Sequence, residues 1–310
     1  MLHEPQKPGF REKPDFFHHD HQPPFPMPDA DVSHIRRKWL DIAYANTSQA
    51  QSLDLYVPEE GDGPFPVIVH IHGGAFAIGD KRDIHILPLL RGLERGYAVA
   101  SVNYRLSDEA IFPSGLQDVK AAIRWLRANS KQYHLDGERI VAWGGSAGGY
   151  YAAMLCLTAH VADLDDLNLG NAEVSCHIQA AVDWFGPTDF SRMDAQLAES
   201  DLGLPDHGEA HSPESRFMGA PLAEIPDRVQ RANPLSYVHP GIPPILIQHG
   251  RIDPMVPVQQ SMILAQRLAE VVGPDSFAFD VLENAGHGDP LFETEDNLKR
   301  VFQFLDRCLK

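Results

Sequence analysis

Cysteine is scarce in this sequence: Cys156, Cys176 and Cys308 are all that 310 residues contain, odd in number and far apart. Such spacing builds neither a disulfide framework nor a CxxC metal knuckle, and it fits reduced thiols. Positive charge is short as well. Lys and Arg number 26 against 43 Asp and Glu, a formal charge of −17, which repels nucleic-acid phosphates and anionic membrane surfaces and favours neutral or cationic partners. No window approaches eighteen uncharged apolar residues, so no membrane-spanning helix is expected. The opening MLHEPQKPGFREKPDFF holds no apolar core of the signal-peptide kind, and the predicted location is cytoplasmic. Nucleotide signatures are missing too: there is no GxxxxGKS, and the glycine-rich GGSAGG is not a GxGxxG followed by an acidic residue. No cofactor is called for.

What is present is a change of pattern near residue 37. Residues 1–36 are crowded with Pro, His and Phe and show neither helical nor strand periodicity, so they read as an extended arm. His18, His19, Asp20 and His21 are ligand-type side chains, but no second set stands nearby at helical spacing, and no metal site is predicted. Phe10, Phe16, Phe17 and Phe25 are candidates to anchor the arm on the chain's own cap or on a second subunit, which leaves a homodimer open.

Residues 37–310 read as one domain. KWLDIAYA and SLDLYVP alternate as half-buried antiparallel strands do. PVIVHIHGG, YAVASVNY, RIVAWGG, QAAVDWFG, PPILIQHG and the final FAFDVLENA are short runs rich in Val, Ile and aromatics, the profile of strands covered on both faces. Between them fall helical segments at Asp83–Arg95, Leu116–Asn129, Gly148–Ala159 and Val258–Val271, with Glu293–Leu309 at the end. Strand and helix in succession predict a doubly wound α/β fold with a mostly parallel sheet of about eight strands. Residues 187–237 break the rhythm with repeated prolines among charges, and predict a cap inserted over the sheet's carboxyl edge.

The chemistry-bearing residues fall at strand ends. Gly144-Gly145-Ser146-Ala147-Gly148 matches GxSxG where a buried strand gives way to a helix, the context in which a serine projects from a sharp turn as a nucleophile. HGGAF, His72 to Phe76, follows the strand VIVHI, and its turn can aim the amides of Gly74 and Ala75, joined by that of Ala147, at an oxyanion. QHGRIDPMVP places Asp253 beyond the next-to-last strand, and ENAGHGD places His287 after the last. The order Ser, acid, His suits the chemistry: an alcohol needs a base, the imidazole needs a carboxylate to fix its tautomer, and the tetrahedral oxyanion needs donors. Asp280, Glu283 and Asp289 are competing acids near His287, and Asp253 is preferred because it follows a strand end within a tight turn. Tyr150, Tyr151, Trp184, Phe185 and Phe217 are candidates both for a substrate pocket and for the core.

HGGAF, GGSAGG, HGRIDPMVP and AGHG, each on its proper element, resemble the esterases of the α/β-hydrolase superfamily, over roughly Lys38 to Leu309. The resemblance is greatest to the carbohydrate-esterase branch of feruloyl and acetylxylan esterases, related to the hormone-sensitive-lipase-like enzymes. It implies a serine ester hydrolase acting on short acyl esters, among them acetyl or feruloyl groups on plant-wall sugars, with no metal or other cofactor. Many relatives have a third glycine or a bulky aromatic where this chain has Ala75, so the shape of the acyl pocket is the feature the resemblance does not carry over. The same plan serves amide cleavage in kynurenine-formamidase-like enzymes, and a noncatalytic module on a hydrolase scaffold is the alternative of another class, though neither Ser146 nor His287 is lost here.

Overall fold

The computed structural model describes residues 27–309. Among them, eight strands form one sheet: β1 (Lys38–Ala43), β2 (Ser52–Tyr56), β3 (Phe65–Ile71), β4 (Ala98–Val102), β5 (Leu135–Gly145), β6 (Ala180–Trp184), β7 (Ile245–Gly250) and β8 (Phe277–Leu282), in the order β1-β2-β4-β3-β5-β6-β7-β8. The alternating pair β1 and β2 lies antiparallel at one edge, and β2 meets β4 antiparallel. All other pairs are parallel.

The helices are α1 (Leu87–Leu90), α2 (Ser114–Ala128), α3 (Ala147–Thr158), α4 (Met193–Ser200), α5 (Pro213–Met218), α6 (Pro226–Arg231), α7 (Gln259–Val271) and α8 (Glu295–Leu309). The pleat sends alternate strand residues to opposite faces. Val67, Val69 and Ile71 join a core with Leu116, Val119 and Ile123 of α2, Met154 of α3 and Leu264 of α7. Ile68, Val99, Val141 and Val182 join a second core with Leu89 of α1 and with Leu298, Val301, Phe302 and Leu305 of α8. Both faces of the central strands are therefore dry, as continuous apolar runs such as FPVIVHI require, and each such side chain contributes roughly 1.5–3 kcal/mol by burial.

One expected helix is corrected. Asp83–Arg95 is divided into a 3-10 turn at Ile84–Ile86, the single turn α1, and a 3-10 turn at Leu93–Arg95. Pro88 supplies no amide to the carbonyl of Ile84, and the Gly92 amide donates to Leu89 O at 2.8 Å, a three-residue step that tightens the chain. The other four expected helices appear within two residues of their predicted ends.

Residues 27–36 are not free of the domain: Ile84 N donates to Pro28 O at 3.1 Å, Ala30 N to Arg82 O at 2.8 Å, and Ile35 is buried. The histidine cluster at residues 18–21 and Phe10, Phe16, Phe17 and Phe25 lie outside the described residues. The proline-rich segment 187–237 carries α4, α5 and α6 joined by 3-10 turns. It packs on residues that follow the carboxyl ends of β3 and β5: Phe217 stacks on Phe76 with centroids 4.0 Å apart, and the Tyr150 hydroxyl donates to Ala232 O at 2.8 Å. No helix among the described residues is long and apolar enough to cross a membrane.

Candidate active site

The strand-to-helix turn after β5 leaves Ser146 at φ 57° and ψ −123°. A residue with a Cβ occupies such a conformation at a cost of about 1–3 kcal/mol, and only where its surroundings dictate it. Here Ser146 N donates to Trp184 O at 2.8 Å, and Tyr150 N donates to Ser146 O at 3.0 Å. The first turn of α3 is pressed so close to β3 that a Cβ on Gly148 would lie 2.0 Å from the Ile71 carbonyl oxygen. A side chain at 148 would push the helix off the sheet, so glycine there is a packing requirement.

Three side chains from separate loops meet at this turn. His287 Nε2 lies 2.9 Å from Ser146 Oγ, and His287 Nδ1 lies 2.7 Å from Asp253 Oδ2. An ionised carboxylate only accepts, so the imidazole proton belongs on Nδ1 and Nε2 is left to accept from the serine hydroxyl. Asp253 is fully buried, and its Oδ1 accepts from Met255 N at 2.8 Å and Val256 N at 2.9 Å. Burial by itself would raise the pKa of Asp253. The adjoining His287 imidazole and the hydrogen bonds from His249 and His287 outweigh it and hold the carboxyl well below the ordinary carboxylate range.

The three competing acids are engaged elsewhere. Asp280 pairs with Arg300 at 2.8 Å, Glu283 with Arg251 at 3.0 Å, and Asp289 caps the turn after His287 by accepting from Leu291 N at 2.9 Å.

The HGGAF turn stands beside the serine: a Cβ placed on Gly73 would lie 3.5 Å from Ser146 Cβ. Gly74, Ala75 and Phe76 have φ of 105°, 53° and 62°. The Ala77 and Ile78 amides both donate to Gly74 O at 3.0 Å, closing the turn. The amides of Gly74, Ala75 and Ala147 donate to no acceptor among the described residues. These N–H groups, on the HGGAF turn and at the start of α3, are donors left available to an anion.

Several supporting residues escaped the sequence. The Tyr104 hydroxyl donates to His72 O at 2.9 Å while its ring stacks on the His72 imidazole, centroids 4.4 Å apart. His72 is buried, which lowers its pKa and keeps it neutral, with Nδ1 2.8 Å from Gly73 O. His249 is fully buried; its Nε2 lies 2.9 Å from Val256 O and 3.4 Å from Asp253 Oδ2. Of the five candidate aromatics, Phe185 touches the histidine, at 4.8 Å between ring centroids. Tyr150, Tyr151, Trp184 and Phe217 are buried core residues, with the Trp184 indole donating to Gln248 Oε1 at 2.8 Å.

Residues 53–268 match the model of the BD-FAE family. The chain belongs to the BD-FAE family. It is 31% identical to esterase LipQ of Mycobacterium tuberculosis over 82% of its own length, and spans 58% of LipQ. Two solved structures share the fold at a TM-score of 0.78 each. A truncated form of a carbohydrate esterase from gut microbiota is 32% identical over 90% of this chain and 99% of that one. The bifunctional GH43-CE protein of Bacteroides eggerthii is 31% identical over 88% of this chain and 38% of that one. The architecture common to this BD-FAE chain and those neighbours is the α/β-hydrolase fold that the sequence motifs implied.

Proposed function

We propose that this BD-FAE family chain is a serine carboxylic ester hydrolase for short-chain acyl esters, with acetyl or feruloyl esters of plant-wall carbohydrates as its substrates. The observation that carries the reading is the unbroken chain from Ser146 Oγ through His287 to Asp253, with contacts of 2.9 and 2.7 Å. The carbohydrate part is supported by the carbohydrate esterase from gut microbiota, which this chain matches along almost its whole length.

In this reading Ser146 Oγ attacks the ester carbonyl as its proton passes to His287 Nε2, and Asp253 holds the resulting imidazolium by Nδ1. The carbonyl oxygen takes on negative charge and is received by the amides of Gly74, Ala75 and Ala147. Because these donors are fixed by the turn before substrate arrives, little reorganisation is needed as charge develops. His287 returns the proton to the departing alcohol, leaving an acyl group on Ser146. Water, activated by the same histidine, then releases the acid. The insertion at 187–237 acts as the cap, and Phe185 lies beside the histidine.

The test is turnover of 4-nitrophenyl esters of increasing chain length, acetylated xylo-oligosaccharides, methyl ferulate and N-formylkynurenine, with Ser146→Ala as the blank. Acetate-dominated, Ser146-dependent turnover with release of acetate from the sugars is expected. Preference for the formamide would replace the ester reading with the amidase one.

A further inference from the structure

His207, at the heart of the insertion, holds together elements that the sequence keeps far apart. Its ring Nε2 lies 2.9 Å from Met255 O, and its Nδ1 lies 3.0 Å from Glu214 Oε1, within ion-pair distance though off the line of a straight hydrogen bond. Its amide donates to Asp194 Oδ1 of α4 at 2.8 Å, and its carbonyl accepts from Ser212 Oγ at 2.7 Å. The side chains of both His207 and Glu214 are mostly shielded from solvent, 12% and 8% exposed. Nearby, a Cβ on Gly203 would lie 1.9 Å from Pro254 O, so the insertion meets the acid loop at two consecutive carbonyls.

The carbonyl that His207 faces belongs to the Met255–Val256 peptide. The N–H of that same peptide is the Val256 amide, which donates to Asp253 Oδ1 at 2.9 Å. One planar peptide unit is thus fixed at its oxygen by His207 and offers its hydrogen to Asp253. We propose that His207, as an imidazolium held by Glu214, is a positioning residue that orients and polarises the Met255–Val256 peptide and through it sets Asp253 against His287. The inference rests on the triad reading of Ser146, His287 and Asp253.

The proton count supports it. A neutral imidazole has one donor and one acceptor nitrogen, yet both nitrogens of His207 face acceptors, so only the doubly protonated ring suits both. The charged groups around the ring are Glu214 from α5, Asp194 from α4 and Asp206 from its own segment, all acidic; the acid loop presents the Met255 carbonyl. Burial works against the imidazolium, but Glu214, Asp194 and Asp206 outweigh it and raise the His207 pKa. Once the ring loses a proton, a lone pair faces either Met255 O or Glu214, and one of the two contacts must open. Hydrogen bonds in series polarise one another, so the peptide's donation to Asp253 weakens with it.

The test combines kinetics with a direct titration. kcat and KM for 4-nitrophenyl acetate are measured from about pH 5 to about pH 9 for the wild type, His207→Ala, His207→Gln and Glu214→Gln, and the His207 ring is followed by NMR over the same range. Expected is an alkaline fall in wild-type kcat that tracks the His207 titration and moves to lower pH in Glu214→Gln. His207→Ala lowers kcat about tenfold with KM little changed, a displacement effect at a distance. His207→Gln, which keeps a neutral donor toward Met255 O, recovers part of that loss and shows no alkaline fall. A His207→Gln kcat profile matching the wild type in level and shape overturns the proposal. So does a ring that titrates in the ordinary imidazole range. Should no Ser146-dependent hydrolysis be found, the esterase reading fails by itself, while the upward-shifted titration and its fall in Glu214→Gln still decide whether the bridge exists.

Discussion

Asp253 turns its two carboxylate oxygens to different tasks: Oδ2 faces His287 Nδ1 at 2.7 Å, and Oδ1 accepts the amides of Met255 and Val256. The loop thereby fixes the carboxylate before the histidine approaches it, and the histidine is left with one tautomer that leaves Nε2 open toward Ser146. Asp253→Asn keeps the size and reverses the preference, because an amide nitrogen toward Nδ1 favours the wrong tautomer. kcat for 4-nitrophenyl acetate is expected to fall by about 10⁴-fold.

The same substitution predicts a pH effect on stability. The folded-state pKa of Asp253 is depressed, so its contribution is fully present above the ordinary carboxylate range and is lost as pH falls through that range toward the folded value. Thermal unfolding of the wild type and Asp253→Asn across neutral to acid pH checks this. The gap in Tm is expected to be widest near neutrality and to narrow as the solution is acidified; a gap that widened in acid would reverse the sign.

Ser146 predicts a conflict between stability and activity. Its φ of 57° and ψ of −123° suit glycine, so Ser146→Gly relieves strain while Ser146→Ala does not. Both variants lose the hydroxyl and, with it, turnover. Allowing for the greater freedom of glycine in the unfolded chain, Ser146→Gly is expected to exceed Ser146→Ala in stability by about 1 kcal/mol, or roughly 1.5 °C in Tm for a chain of this size.

The HGGAF turn, read as the oxyanion donor, offers a paired experiment. A Cβ on Gly74 would lie 2.1 Å from Ile78 O at a φ of 105°, so Gly74→Ala must distort the turn. A loss of about 10²–10³ in kcat is expected, the size of removing an oxyanion donor. Ala75→Gly keeps its amide and relieves a φ of 53°. Its kcat for acetyl esters is expected to stay within about threefold of the wild type. Equal losses in the two variants would show that the turn's shape is not what matters.

The legible and illegible parts of this chain differ in range. GGSAGG, HGG, Asp253 and His287 could be read because each lies at the end of an apolar run, and the parallel sheet gathers strand carboxyl ends along one edge. The helix at 83–95 was misjudged because a local apolar pattern does not register the amide that Pro88 lacks. Tyr104, His249 and His207 were missed for another reason. Each acts through a backbone carbonyl, of residues 72, 256 and 255, and a contact to a carbonyl leaves no constraint on residue type in the segment contacted. The aromatic candidates were ambiguous because burial is common to core and pocket; only contact with His287 separates Phe185 from the rest.

Tyr104 provides the last prediction. Its ring stacks on His72 and its hydroxyl donates to His72 O, one residue before the Gly-Gly turn. Tyr104→Phe preserves the stack and removes the donor, leaving a buried carbonyl unsatisfied. A cost of about 1–3 kcal/mol in unfolding free energy is expected. The freed carbonyl lets the turn after β3 shift, so the amides of Gly74 and Ala75 meet the oxyanion less well. kcat is expected to fall while KM for small esters stays near the wild-type value, since the donors matter most once charge has developed. Tyr104→Leu, which loses the stack as well, is expected to lose more in both stability and kcat. If Tyr104→Phe instead raised KM and spared kcat, Tyr104 would belong to the substrate pocket and not to the support of the turn.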